Sequence, residues 1–193
     1  ENDGLVCNGI SNYNRNSPWA NSAIVVTVDQ TTHFGGETLA GLNFRRDLEK
    51  KTLSKVLLAG GTKQLPAQRL TDFIEGKLGD VRRGSSPSGE VAVRLDQMLP
   101  EFMRTKLMEG FEKFDHKMKG FLNSEAQLYG IESRTSCPVR VTRDEVSLQS
   151  ISHPGLYPVG EGAGYAGGIT SAACDGIKVA EKIYEQACSL NLS

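Results

Sequence analysis

The residues best suited to chemistry lie near the end of the chain, where Leu156-Tyr157-Pro158-Val159-Gly160-Glu161-Gly162-Ala163-Gly164-Tyr165-Ala166-Gly167-Gly168-Ile169 runs directly into a helical pattern. In order, these residues predict a strand, a glycine turn and a helix N-terminus. Glycine permits positive φ and lets a ligand approach the backbone, and the free N–H groups and dipole of a helix start attract negative charge. An anionic or electron-rich ligand edge is therefore expected here. The candidate binding residues are Gly160, Glu161, Gly162, Ala163, Gly164, Tyr165, Gly167, Gly168 and Ile169. Glu161 stands at the end of the predicted strand, where open α/β sheets place ligand groups.

Gly162, Gly164 and Gly167 also satisfy GxGxxG, the spacing that opens a dinucleotide-binding fold. Such a fingerprint needs a second strand and an acidic residue about 20 positions further on, and here the sequence stops just after the helix. The motif is expected to close a site that other strands begin.

The elements that position this loop are a mixture of helix and strand. The β-branched run 23–28, Ala-Ile-Val-Val-Thr-Val, predicts a buried strand. Phe44, Leu48, Leu53, Val56 and Leu57 fall near helical spacing, and Gly60-Gly61 follows as a stop signal. Pro66 is placed for the first turn of a short helix carrying Leu70, Phe73 and Ile74. Residues 82–89, Arg-Arg-Gly-Ser-Ser-Pro-Ser-Gly, predict a mobile loop. A Phe and Met stripe from Leu99 to Leu122 predicts a long amphipathic helix, its stripe read as core in preference to a substrate groove. Short strands are expected at 131–134, 139–143 and 156–160. A final helix from about Gly168 to Cys188 follows, with Ile169, Ala173, Ile177, Ala180, Ile183, Tyr184 and Ala187 on its apolar side.

Other residue types carry less. Arg134, Arg140 and Arg143 fall in the predicted strands 131–134 and 139–143 and read as a solvated face, against the alternative of a patch for an anionic substrate or nicotinamide. The four cysteines, Cys7, Cys137, Cys174 and Cys188, form no CxxC pair and read as reduced thiols, Cys137 and Cys174 as inert ones; the expected location is intracellular, cytoplasmic or organellar such as plastid. His33, His116 and His153 have no ligand spacing, so no metal is assigned. A formal net charge of -1 with scattered basic residues gives no footprint for nucleic acid, and no apolar run approaches the roughly 20 residues that span a bilayer.

The segment 156–169 resembles the C-terminal flavin motif of the two-dinucleotide-binding-domain flavoproteins, most closely their uncharacterised FAD-dependent dehydrogenase branch. Asn8-Gly9 with Ser11, Arg15 and Asn21, then Pro66-Ala67-Gln68-Arg69 with Asp72-Phe73, and Gly130 to Arg143 look like the same branch. The resemblance implies FAD as cofactor, NAD(P)H as a possible electron donor, and a dehydrogenase-like oxidoreductase activity in the full-length protein. It also implies that Glu161 binds the ribityl chain and that the helix start at Gly168-Ile169 points at the flavin pyrimidine. The family's N-terminal glycine motif, which holds the adenine half of FAD, has no counterpart in residues 1–193. The N-terminal FAD-binding half of the same polypeptide is therefore the expected partner, and the segment alone is expected to be inactive.

The expected architecture is an α/β, mixed α+β fragment. Residues 1–150 form mostly a substrate or cap domain, and 151–193 form the closing part of a Rossmann-like FAD-binding domain. No catalytic acid or base and no substrate is named. The alternative is a non-enzymatic binding or assembly module that keeps a flavoprotein fold as scaffold.

Overall fold

Nine regular elements form among the described residues, 3–9 and 13–190 of a computed structural model. They are α1 (Gln30–Phe34), α2 (Ala40–Leu58), β1 (Leu65–Arg69), α3 (Leu70–Glu75), β2 (Glu90–Ala92), α4 (Leu95–Met98), α5 (Glu101–Lys117), β3 (Gln127–Tyr129) and α6 (Ile169–Leu190). The mixture of helices with one small sheet is the α+β composition expected. The chain divides into two units: unit 1 comprises Glu1–His33 and Asn43–Ser133, and unit 2 comprises Phe34–Leu42 and Arg134–Ser193.

Unit 1 has an apolar core. Leu48 and Val56 of α2, Leu70 and Phe73 of α3, Met98 of α4 and Phe111 of α5 meet Val93, Leu95 and Ile131 there. Phe73 and Phe111 pack edge to face at 6.0 Å, a favoured aromatic geometry. Full burial of one such side chain contributes roughly 1.5–3 kcal/mol. The α2 helix ends as Gly60-Gly61 predicts: Gly60 takes φ +81, and the N–H groups of Gly61 and Gly60 donate to Val56 O and Leu57 O at 2.9 and 3.0 Å. Those bonds satisfy two carbonyls that a helix end leaves over. The α5 helix stops at Lys117, before Leu122, because the Asp115 carboxylate accepts from the N–H groups of Gly120 and Leu122 and folds the chain back.

The sheet has order β2-β1-β3, with β1 parallel to β2 and antiparallel to β3. Pro66 lies inside β1, where the sequence placed a helix start, and the helix carrying Leu70 and Phe73 begins directly after the strand. The register Ala67↔Tyr129 sets Pro66 opposite Gly130. Gly130 N–H donates to Pro66 O at 3.2 Å, and the return bond cannot form because proline has no N–H. The buried Cys7 thiol donates to Gly130 O instead, at 3.1 Å. Burial, followed by the nearby Glu132 charge, pushes that thiol up to about 12, so it keeps the proton it donates.

Two strands expected in unit 1 are not formed among the described residues. The run 23–28 is unpaired, with Ile24 and Val26 half-buried and the rest exposed, and 131–134 is irregular. Residues 82–89 are irregular as expected, with Arg82 N–H bound to Gln127 Oε1 at 2.8 Å and Gly84 N–H to Glu90 Oε1 at 3.0 Å.

Unit 2 contains α6 and a largely irregular chain. Of the strand expected at 139–143 only a single antiparallel bridge forms, Arg143↔Ser150, and 156–160 is irregular, because no neighbouring strand pairs with either among the described residues. The α6 helix is formed as its periodicity predicts, with the opposite face turned inward. Ala172, Asp175, Gly176, Val179, Lys182, Gln186 and Cys188 are its less accessible residues, while Ile169, Ile177 and Tyr184 are 93 %, 61 % and 72 % exposed.

Candidate functional site

The glycine loop begins where Gly160 turns the chain at φ +70 and closes with Tyr165 N–H on Gly160 O at 3.0 Å and Gly164 N–H on Glu161 O at 2.9 Å. Segment 137–143 holds its other carbonyls. Cys137 Sγ donates to Gly162 O at 3.3 Å, Val141 N–H to Ala163 O at 3.1 Å, and Arg140 Nε to Gly164 O at 2.9 Å. Gly164, at φ +82, comes so close to this segment that a Cβ there would sit 2.5 Å from Val139 O. Its glycine is required by the chain's own backbone.

Every carbonyl from Gly160 to Gly164 is thus engaged, whereas the N–H groups of Glu161, Gly162, Ala163 and residues 166–171 have no hydrogen-bond partner among the described residues. A Cβ on Gly162 or Gly167 would meet nothing within 4 Å. Glu161 is exposed and its carboxylate makes no hydrogen bond or ion pair with the described residues. The first turn of α6 adds its own donors, since Ala172 N–H is the first to bond back, to Gly168 O at 2.9 Å. Of the nine loop residues named from the sequence, Glu161, Gly162, Ala163, Gly167, Gly168 and Ile169 carry unpartnered N–H groups, while those of Gly160, Gly164 and Tyr165 are bound within unit 2.

Three residues that organise this loop were not read from the sequence as a group. Arg143 forks onto Asp175 with NH1–Oδ2 and NH2–Oδ1 distances of 2.9 and 2.6 Å. Their side chains are only 7 % and 12 % exposed, which corrects the solvated-face reading for Arg143. Arg143 NH1 also donates to Pro158 O at 2.7 Å, and Asp175 Oδ2 accepts from Gly160 N–H at 2.9 Å. The Arg143 guanidinium lies 3.7 Å from the centroid of the Tyr165 ring, and the Tyr165 hydroxyl links Arg143 N–H to Val141 O. The Arg143 bonds hold the Asp175 carboxyl below the usual range against the upward push of burial, and Gly160 N–H adds to the lowering. No sequence signal marked Asp175, because the apolar periodicity of α6 points to the face opposite the one on which Ala172, Asp175 and Val179 are covered.

Arg140 is exposed and its guanidinium lies 5.0 Å from the Tyr165 ring centroid. All four cysteines are free thiols. Among the described residues no three His, Cys, Asp or Glu side chains converge as a metal site, and no helix is long and apolar enough to cross a membrane. Of the residues that carry the resemblance, Ser11 lies outside the described residues.

The model of the family described as FAD-dependent protein, C-terminal domain-like, matches residues 1–135, which includes Pro66 to Phe73 but not the glycine loop. An uncharacterised protein of Clostridium beijerinckii is 45% identical over 190 residues, which is 96% of this chain. The chain spans only about a third, 35%, of that relative's length. The family description names FAD and no nicotinamide. With most of its length matched, the chain belongs to the FAD-dependent protein C-terminal domain-like family.

Proposed function

We propose that the chain is the C-terminal part of an FAD-dependent oxidoreductase and that residues 160–169 with the start of α6 form one wall of the flavin site. The observation that carries the proposal is a division in the loop's backbone bonding: the carbonyls of residues 160–164 are engaged, while the N–H groups of residues 161–163 and 166–171 have no partner among the described residues. Such a donor row suits the electron-rich edge of an isoalloxazine ring, and the open space at Gly162 and Gly167 lets a planar group approach the backbone. FAD, when bound, would supply two-electron hydride chemistry. Gly168 and Ile169 N–H groups would stabilise negative charge at the pyrimidine edge, and Glu161 would accept hydrogen bonds from ribityl hydroxyls.

In this proposal unit 1 supplies most of a substrate or cap domain. The remaining part of a longer polypeptide holds the adenine half of FAD and covers the apolar side of α6. Purification of the full-length polypeptide tests it: one flavin per chain, reducible and reoxidisable with turnover, is expected. A folded full-length protein that takes up no FAD on reconstitution contradicts the proposal, and stoichiometric flavin without turnover leaves a scaffold in place of an oxidoreductase.

A further inference from the structure

We infer that Arg143, Asp175 and Tyr165 form a positioning brace that sets the shape of the ligand-facing loop, an inference that rests on the flavin reading proposed above. The brace joins three stretches distant in sequence. Arg143 comes from segment 137–143, Asp175 from the second turn of α6, and Tyr165 from the loop's far end. Each attaches to loop backbone or to the next member. Asp175 takes the N–H of Gly160, where the chain turns, Arg143 takes Pro158 O two residues earlier, and the Tyr165 ring lies against the Arg143 guanidinium. None of the three needs to touch a ligand.

The chemistry of the pair supports a positioning role. A buried ion pair is seldom the most stabilising filling for its volume, and apolar side chains of similar size often serve stability as well or better. What apolar side chains cannot do is accept from Gly160 N–H and donate to Pro158 O in a fixed fork. The pair therefore specifies the trajectory of residues 158–165, and with it the direction of the N–H groups of Glu161, Gly162 and Ala163. Tyr165 extends that control to the loop's exit, because its hydroxyl bridges Arg143 N–H and Val141 O while its own N–H closes the loop on Gly160 O.

The test uses the full-length polypeptide with FAD as probe, and compares Asp175→Asn, Arg143→Lys and the double variant Arg143→Met/Asp175→Leu. The single variants are expected to bind FAD roughly tenfold or more weakly, the loss typical of one charge-assisted hydrogen bond, and to show altered visible flavin bands. Amide exchange at Gly160 in the flavin-free proteins is expected to quicken. The double variant is expected to regain thermal stability relative to the singles while its FAD affinity stays low, which separates positioning from mere stability. Flavin affinity and spectrum that follow stability through the series, with the double variant recovering both, would overturn the brace. Single variants that bind FAD as the wild type does would overturn it too, with the flavin site intact. A folded wild-type protein that binds no FAD removes the flavin reading itself, and the inference with it.

Discussion

In unit 1 Phe73, Phe111, Leu70 and Met98 lose nearly all contact with water, whereas the buried apolar side chains of unit 2 include little beyond Leu148, Pro158 and Val179. Unit 2 is joined by polar groups instead. Arg143 pairs with Asp175, Gln186 bonds to Tyr157 and Ser147, and Asp144 Oδ1 collects the N–H groups of Val146 and Ser147. At the same time its one long helix carries its isoleucines outward. Burial of apolar area is the main favourable term in folding, so a unit that exposes its most apolar helix face leaves that term unused. The contrast agrees with the proposal that further polypeptide covers the apolar side of α6 in unit 2.

The comparison breaks most easily at the core of unit 1. Phe73→Ala removes a fully buried ring and is expected to cost about 3–5 kcal/mol of unfolding free energy, measured by denaturant titration of unit 1 signals. A loss well under half of this would mean that unit 1 is not the tightly packed partner in the contrast.

Charge on the outer face of α6 sharpens it. Ile177→Asp is expected to change the stability of the 193-residue chain by no more than about 0.5 kcal/mol, as for an exposed site. In the full-length polypeptide the same substitution is expected to cost about 2–5 kcal/mol, since a charge would then face a packed interface. Equal small effects in both would leave the face solvated and remove the covering role proposed for the rest of the chain.

Next in size is a backbone effect confined to unit 2. Gly164→Ala must hold φ +82 and place its Cβ against Val139 O, so a loss of about 1–3 kcal/mol is expected. Calorimetry should show it in unit 2. Gly162→Ala, in open space, should leave stability unchanged.

The two units share one pH response. Burial pushes the Asp96 carboxyl up, but the Arg94 fork and the Gln68 amide hold it below the usual range overall, and Arg143 does the same for Asp175. A depressed folded-state pKa stabilises above the unfolded value, about 3.9, and that contribution is lost as pH falls through the folded value. Acid melts of Asp96→Asn and Asp175→Asn should therefore each be flatter than wild type below about pH 4. Wild-type steepness in both variants would show that neither pair contributes.

What the sequence disclosed, and what it hid, follows the same division. Helices α2, α5 and α6 were legible because 3.6-residue periodicity is local, and Gly60-Gly61 marked a stop for the same reason. Strands were poorly legible because a strand is a relation between two segments. The β-branched run 23–28 has no partner among the described residues, while Leu65–Arg69, with a proline inside it, pairs on both sides. The glycine loop could be named residue by residue from its composition. Its brace could not, since Arg143 and Asp175 are 32 positions apart and meet only through the fold. The periodicity of α6 likewise gave its apolar side but not the side this chain would cover.

The most direct test of the central claim, that the start of α6 faces the flavin's pyrimidine edge, is the reduction potential of Ile169→Pro in the full-length polypeptide. Proline is tolerated at a helix's first position and deletes one unpartnered donor. Loss of one charge-assisted hydrogen bond to the reduced flavin is worth about 1.5–3 kcal/mol. At roughly 30 mV per 1.4 kcal/mol for two electrons, that is a fall on the order of 30 to 65 mV. Redox titration against a reference dye should find the variant lower by that amount with flavin fully bound. An unchanged or raised potential at full occupancy would contradict the orientation of α6 and the flavin wall built on it.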